Sequence, residues 1–547
     1  MPTAVGLARD AFARRSWGEA LAAFSEAAEN GDIDAVDHER RGVCAYLVGA
    51  DDDCVAAMEA AQAAYLGAGE PAEAARCRFW LAFSLMMRGQ MAPAVGWLGR
   101  AEDLIAEHGL DCAAAGYVLV PAALRALDSG DPQAASDMAV RVSEIGARFD
   151  DPDLEAFGNL GHGQALLAMG DAVGGTAQLD DVMVSVTAGE VGPIVSGVVY
   201  CAVILECMGV FDLRRAAEWT EALSAWCDDQ PDLVPYRGQC MVHRSQLAQV
   251  SGDWPDAINT IEQACERLTD PPHPALGLAY YQQAELHRLL GDLDEAERGY
   301  RRASGKGHEP MPGLALLQVA RGDVDAAVAS IQRALDEVGD PVGRPALLSA
   351  AVDVLLAAGD IEAANDAADE LATVAAGTPS PVLEAMAAHA ASAVLIALGA
   401  PRDALTGLRH AASIWRSLQM PYDSARTSVL VARACAGLGD RAGAALEFDN
   451  AADAFARLGA GPDRDRLDSV RAELLEASQP PADGVQLSAR ECEVLVHVAA
   501  GATNRQIADE LTISQHTVGR HLENIFAKIG VSSRAAATAW AYEHDLL

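Results

Sequence analysis

The sequence predicts an all-α chain, a long α-solenoid of stacked helical hairpins followed by a small four-helix domain. Three observations lead there. Glycines that read as turn residues recur from Gly49 to Gly439 at intervals of 31 to 43 residues, and a period near 40 marks stacked helical pairs. No stretch of any length alternates apolar and polar residues as a half-buried strand does. Near the C-terminal end, three consecutive helix starts are written in capping residues.

The turn glycines are Gly49, Gly89, Gly130, Gly170, Gly209, Gly252, Gly291, Gly322, Gly359, Gly399 and Gly439, with Arg15, just before Ser16-Trp17, as an earlier member. Each ends the first helix of a pair, where a left-handed residue is needed. Aspartate then caps the second helix, as in Gly252-Asp253, Gly291-Asp292 and Gly359-Asp360. Second helices carry a small-large-small stripe: Ala20, Phe24 and Ala27; Ala296, Tyr300 and Ala303; Ala404, Leu408 and Ala411. That stripe resembles the tetratricopeptide repeat (TPR), with a period longer than the usual 34 residues or so, as in the looser TPR-like repeats of large bacterial regulators. About twelve units stack into a superhelix with a long concave surface. Trp17, Trp97, Trp219, Trp254 and Trp415 fall in or beside repeat helices and read as core. Val191 to Phe211 holds a single charge, Glu206, but Gly192, Pro193 and Gly197 weaken it as a membrane span, so it reads as a buried repeat helix.

The array takes residues 1–477, a linker 478–486, and the terminal domain 487–547. Two prolines in Ser478-Gln479-Pro480-Pro481-Ala482-Asp483-Gly484 interrupt any helix there. Beyond it, Ser488-Ala489-Arg490-Glu491 and Thr503-Asn504-Arg505-Gln506 fit the capping box, and Ser514 is a third cap without the reciprocal acid. Val494, Leu495 and Val498, then Ile507, Ala508 and Leu511, then Val518, Leu522, Ile525 and Ile529 recur at helical spacing. Gly501 and Gly530 close the first and third helices, and Thr512-Ile513 alone separates the second from the third, the spacing of a helix-turn-helix. A fourth helix runs from about Ser533 to Glu543.

These residues, with Gly501-Ala502-Thr503-Asn504-Arg505-Gln506-Ile507-Ala508, Thr517-Val518-Gly519-Arg520-His521-Leu522 and Lys528-Ile529-Gly530-Val531-Ser532-Ser533-Arg534, resemble the LuxR-type DNA-binding domain. The resemblance implies a bacterial transcription regulator whose third helix enters the major groove and whose fourth makes a dimer contact. Gln515, His516, Gly519, Arg520, Glu523, Asn524 and Ala527 then face DNA or solvent. Arg520 is the candidate for a bidentate guanine contact, and Glu523 for accepting from a cytosine amine. Relatives commonly have Lys at Gly519; glycine costs about 1 kcal/mol there against Ala but allows close backbone approach. Thr503, Asn504, Thr517, His521 and Lys528 read as phosphate contacts or caps, joined by Ser514 and Arg505. His521 reads equally as a partly buried structural histidine. Ala537, Trp540 and Ala541 form the dimer stripe, although core burial accounts for Trp540 equally well.

The chain carries a formal charge of −39, nearly all of it in the array. Such a surface repels nucleic acid, so the array is not the DNA reader. From Gly484 onward five basic residues face seven acids, which leaves binding to a convergence of Arg505, Arg520, Lys528 and Arg534 on one face. Eleven cysteines without a CxxC pair fit reduced thiols of the cytoplasm, and Arg9, Asp10, Arg14 and Arg15 break up any signal peptide. Gly305-Lys306-Gly307 lacks the flanking residues of a phosphate-binding loop, and neither HExxH nor GxSxG occurs. The chain thus resembles the C-terminal half of large regulators of the maltose-regulon-activator type, without their NTPase. Asp51-Asp52-Asp53 and Asp32-Ile33-Asp34 read as turns and caps, not calcium loops. The expectation is a cytoplasmic, non-enzymatic regulator with no cofactor or metal. Its partners are double-stranded DNA, a second copy of itself on DNA, RNA polymerase as a candidate contact, and a small-molecule or protein effector in the solenoid groove. The alternative is a TPR-like interaction scaffold with a degenerate helix-turn-helix, for which Gly519, Glu523 and the weak basic charge speak.

Overall fold

The computed structural model describes residues 3–546 apart from 231, 271, 339–341, 477–486, 512, 532 and 545. The expected linker, 478–486, therefore lies outside the described residues. The described residues are helices and their connections, with no strand among them. Among the described residues twelve TPR-like hairpins run in chain order from Ala4–Ala13 with Trp17–Glu29 to Pro421–Gly437 with Arg441–Leu458, followed by helix Gly461–Arg471. By contact the chain divides into two compact units, Met1–Val394 with Ile414–Pro421, and Leu395–Ser413 with Tyr422–Leu547.

Local chemistry sets the hairpins. Ten of the eleven turn glycines have positive φ, between 72° and 99°, where a Cβ would be strained. The eleventh, Gly209, does not: it ends helix Pro193–Gly209, and the left-handed residue of that turn is Phe211 (φ 58°). Gly209 has another reason to be small, since a Cβ there would lie 2.6 Å from a methyl of Val342. Arg15 occupies the left-handed site of the first turn at φ 59°. After the turns, Asp253 and Asp360 cap the next helix through Asp256 N and Ala363 N, whereas the Asp292 side chain makes no cap bond.

The small-large-small stripes are core. Ala20, Phe24, Ala27, Ala296, Tyr300, Ala303, Ala404, Leu408 and Ala411 are at most 1% exposed. Helix Pro193–Gly209 buries ten residues, and no helix among the described residues is long and apolar enough to cross a membrane. Of the five tryptophans expected in the core, Trp17, Trp254 and Trp415 are fully buried, while Trp97 and Trp219 are half-buried against the core.

Within the first unit, segments far apart in the array bond to one another. Trp17 Nε1 donates to Gln230 Oε1 (3.1 Å), Gly18 N to Asp232 Oδ2 (3.2 Å) and Val234 N to Leu47 O (2.9 Å). The first two hairpins are thus bonded directly to the loop before helix Pro235–Ser251. Gln230 is fully buried and its amide is used at both ends, the nitrogen donating to Trp226 O at 2.9 Å. Leaving either end unpaired would cost about 1–3 kcal/mol, which fixes this joint in one geometry.

Close packing elsewhere depends on absent side chains. Helices Pro132–Arg148 and Pro152–Ala168 meet backbone to backbone: a Cβ on Gly158 would lie 2.3 Å from Ser143 N, and one on Gly146 2.5 Å from Glu155 N. Gly158→Ala is expected to lower the unfolding free energy of the first unit by about 1–3 kcal/mol through overpacking. Gly99→Ala, in a helix with nothing within 4 Å of the new methyl, should instead raise it by about 0.5–1 kcal/mol. Urea unfolding of the two variants checks the opposite signs.

Candidate nucleic-acid interface

The terminal domain is built from helices Ala489–Ala499, Asn504–Glu510, Gln515–Ile529 and Arg534–Glu543. Both capping boxes form. Ser488 accepts from Glu491 N while Glu491 accepts from Ser488 N (2.7 Å), and Gln506 accepts from Thr503 N (2.8 Å) in return for Thr503 capping Gln506 N. Ser514 caps Thr517 N at 3.1 Å, and Ser533 caps Ala536 N at 3.1 Å. Gly501 (φ 82°) and Gly530 (φ 69°) take the left-handed positions. The turn from the second helix to the third is held by Ile513 N donating to Ala508 O (2.9 Å).

Val494, Leu495, Val498, Ile507, Ala508, Val518, Leu522, Ile525 and Ile529 close into one core. Because Val518, Leu522, Ile525 and Ile529 point inward, the opposite face of Gln515–Ile529 presents Gln515, His516, Arg520 and Asn524 to solvent, with Thr517, Gly519 and His521 half-buried. Nothing lies within 4 Å of where a Gly519 Cβ would be. The Glu523 side chain lies outside the described residues. Arg505 is exposed on the neighbouring helix.

The model of the family described as bacterial regulatory proteins, luxR family, matches residues 485–541. Residues 485–541 are a LuxR-family helix-turn-helix domain. Similar proteins include the nitrate/nitrite response regulator protein homolog of Haemophilus influenzae, 40% identical over 78 residues, which are 14% of this chain and 38% of that protein. The probable transcriptional regulatory protein SgaR of Hyphomicrobium methylovorum is 53% identical over 53 residues, 10% of this chain and 25% of its own. The probable transcriptional regulatory protein NarL of Mycobacterium tuberculosis is 48% identical over 61 residues, 11% and 28% respectively. The chain thus spans between 25 and 38% of these relatives' own lengths. Among solved structures, one in the crystal structure of the APC/C hetero-tetramer Cut9-Hcn1 shares 13% identity over 86% of this chain and 95% of its own at a TM-score of 0.38. At that value the likeness is too slight to bear on function.

Within the LuxR-type domain two of the four basic residues expected on one face, Lys528 and Arg534, have partners inside the domain. Lys528 Nζ is 2.6 Å from Glu491 Oε2, so this lysine is tied to the start of the first helix. Arg534 donates to Asn504 Oδ1 (2.7 Å) and to Ala502 O, bracing the loop before the second helix. Arg490 pairs with Glu493 (2.6 Å) and donates to Leu511 O (2.5 Å), fastening the end of that helix. Arg505 and Arg520 make no ion pair among the described residues. Local patterns could not reveal these roles, because the partners lie 21 to 37 residues apart; the Glu491 cap alone was readable.

The expected dimer stripe is also corrected. Ala537 and Ala541 are 0% exposed in the domain core, where the tight approach of the first and fourth helices needs methyl-sized side chains. Trp540 is half-buried and stacks on His544, centroids 4.0 Å apart at 15°. The exposed face of that helix is Ala535, Ala539 and Tyr542.

The Lys528 hydrogen bond, joined by the Ser488 N–H, holds the Glu491 carboxyl at about 2, below its ordinary 4.5. A depressed carboxyl stabilises the fold fully above its unfolded value and loses that contribution as the pH falls through the folded one. The stability difference between the natural protein and Glu491→Gln should therefore be constant above pH 4.5 and shrink progressively toward pH 2. Thermal unfolding of the two full-length proteins across that range measures it.

Proposed function

We propose that this chain is a DNA-binding transcription regulator: its LuxR-type domain, from about residue 487, reads the major groove as half of a homodimer, and its helical array, up to about residue 477, senses an effector. The observation that carries the reading is the solvent face of Gln515–Ile529, where an unpaired Arg520 stands beside Gln515, His516 and Asn524 on a helix whose other face is core. Arg520 has the donor fork for a guanine edge, and Glu523 is the candidate for a cytosine amine. Gln515 and His516, in the first turn, sit where a helix N-terminus favours phosphate, with Arg505 and Thr517 alongside. Thr503 and Ser514 serve as caps, Asn504 is braced by Arg534, and Lys528 holds the fold.

The array supplies the sensor in this reading. It is acidic and sits apart in sequence from the reader, so it has no role on DNA itself. The dimer contact falls on Ala535, Ala539 and Tyr542, whose small-small-aromatic face allows two helices to approach.

With two unpaired arginines in each protomer, a dimer neutralises few phosphates. The logarithm of affinity should fall against the logarithm of salt with a slope of roughly −4 or shallower. Selection from random duplexes by the full-length protein should enrich a two-fold motif, and Arg520→Ala should lose information at one base of each half-site, a discrimination of about 1–3 kcal/mol. Absence of any enriched motif from the natural protein would overturn the reading in favour of an interaction scaffold.

A further inference from the structure

The first unit contains two cavities of about 370 Å³. One is lined by Asp51, Asp52, Asp270 and Arg88, and its single cation is already paired with Asp51 (3.5 Å) and Asp52 (3.1 Å). The other differs. It lies where Arg15, the end of helix Ala172–Thr187 and the end of helix Leu213–Asp228 come together, and its wall includes Tyr200, Trp226 and Asp229.

Three features make this cavity specific. Its two charged side chains are of opposite sign, Arg15 and Asp229; both are exposed, and neither forms an ion pair among the described residues, whereas the adjacent Arg14 is paired with Glu19 at 3.0 Å. Arg15 stands at φ 59° in a turn position that most other hairpins give to glycine, a placement that costs about 1–2 kcal/mol for a side-chain-bearing residue. The carbonyls of Thr187 and Ala188, at the negative end of their helix, accept no hydrogen bond among the described residues. Beside them stands an aromatic wall: Trp226 lies 5.9 Å from Tyr200 and 6.0 Å from Tyr236, and Tyr236 is locked by its hydroxyl donating to Ile194 O (2.8 Å).

We propose that this cavity binds a free α-amino acid with an apolar or aromatic side chain. Arg15 takes the carboxylate, with the planar fork suited to it. Asp229 and the carbonyls of Thr187 and Ala188 take the ammonium, and Trp226 and Tyr200 face the side chain. The volume lies at the small end of ligand sites, about 300–1,000 Å³, which suits a single amino acid rather than a peptide. The site also touches the joint described above: Arg15 is two residues before Trp17 and Asp229 is one before Gln230, the pair whose hydrogen bond ties the first hairpin to this loop. A ligand held by both segments strengthens that joint. The inference deepens the sensor reading and rests on it for the consequence of binding, not for binding itself.

Isothermal titration of the full-length protein, without DNA, tests it. L-Phenylalanine and L-leucine are the probes, with phenethylamine lacking the carboxylate and N-acetyl-L-phenylalanine lacking the ammonium. Saturable binding of an amino acid to one site per chain is expected, at least about tenfold tighter than either analogue. Arg15→Gln should weaken phenylalanine about tenfold while leaving phenethylamine unchanged, and Asp229→Asn should do the converse with N-acetylphenylalanine. Both residues are exposed, so both variants should fold; Trp226→Phe supplies a milder probe of the wall than Ala. No binding of either amino acid at about 10 mM would overturn the proposal, as would phenethylamine binding as tightly as phenylalanine or an Arg15→Gln variant that binds unchanged. Because DNA is absent, failure here leaves the DNA-reading assignment standing, and failure of motif selection leaves a positive titration standing.

Discussion

A helix that must fold back on itself needs a residue whose φ has the wrong sign for most side chains. Every hairpin of the array meets this constraint in the first or second position after its first helix. Glycine supplies it at Gly49, Gly89 and their successors, where it avoids the steric cost of a Cβ. The same device recurs between hairpins, at Gly69, Gly109 and Gly189, and after the last one at Gly459, with Asp150 and Gln419 adopting it without glycine. Only when these reversals are in place do the alanine and aromatic stripes of successive helices meet, and the burial of Phe24, Tyr300 and Phe448 follows from them.

The buried Trp17–Gln230 pair carries a specificity that the apolar stripes lack. Alanine-rich helix faces could slide by a turn at small loss, but Trp17 and Gln230 cannot part without orphaning a buried donor and acceptor. In the LuxR-type domain the same logic is written in charge: Lys528 with Glu491, Arg534 with Asn504 and Arg490 with Leu511 O each bind two helices or a helix and a loop.

What was readable in the sequence was whatever depends on neighbours within a few turns. The capping boxes at Ser488 and Thr503, the left-handed Gly501 and Gly530, the hairpin period and the buried stripes all stand where local spacing put them. Gly209 misled because its smallness answers to Val342 rather than to a turn. Ala537 and Ala541 misled because a stripe of alanine looks the same whether it faces a second copy or the first helix of its own domain. The Trp17 joint was unreadable, since its partners are 213 residues apart and belong to no shared motif.

Gly519 is the one glycine of Gln515–Ile529, and nothing among the described residues lies within 4 Å of where its Cβ would be. A methyl group there would cost the fold nothing in packing. Most replacements would strengthen the helix, since nearly every residue but proline is a better helix former than glycine. The chain thus keeps a less stable helix at this position for no reason of packing among the described residues.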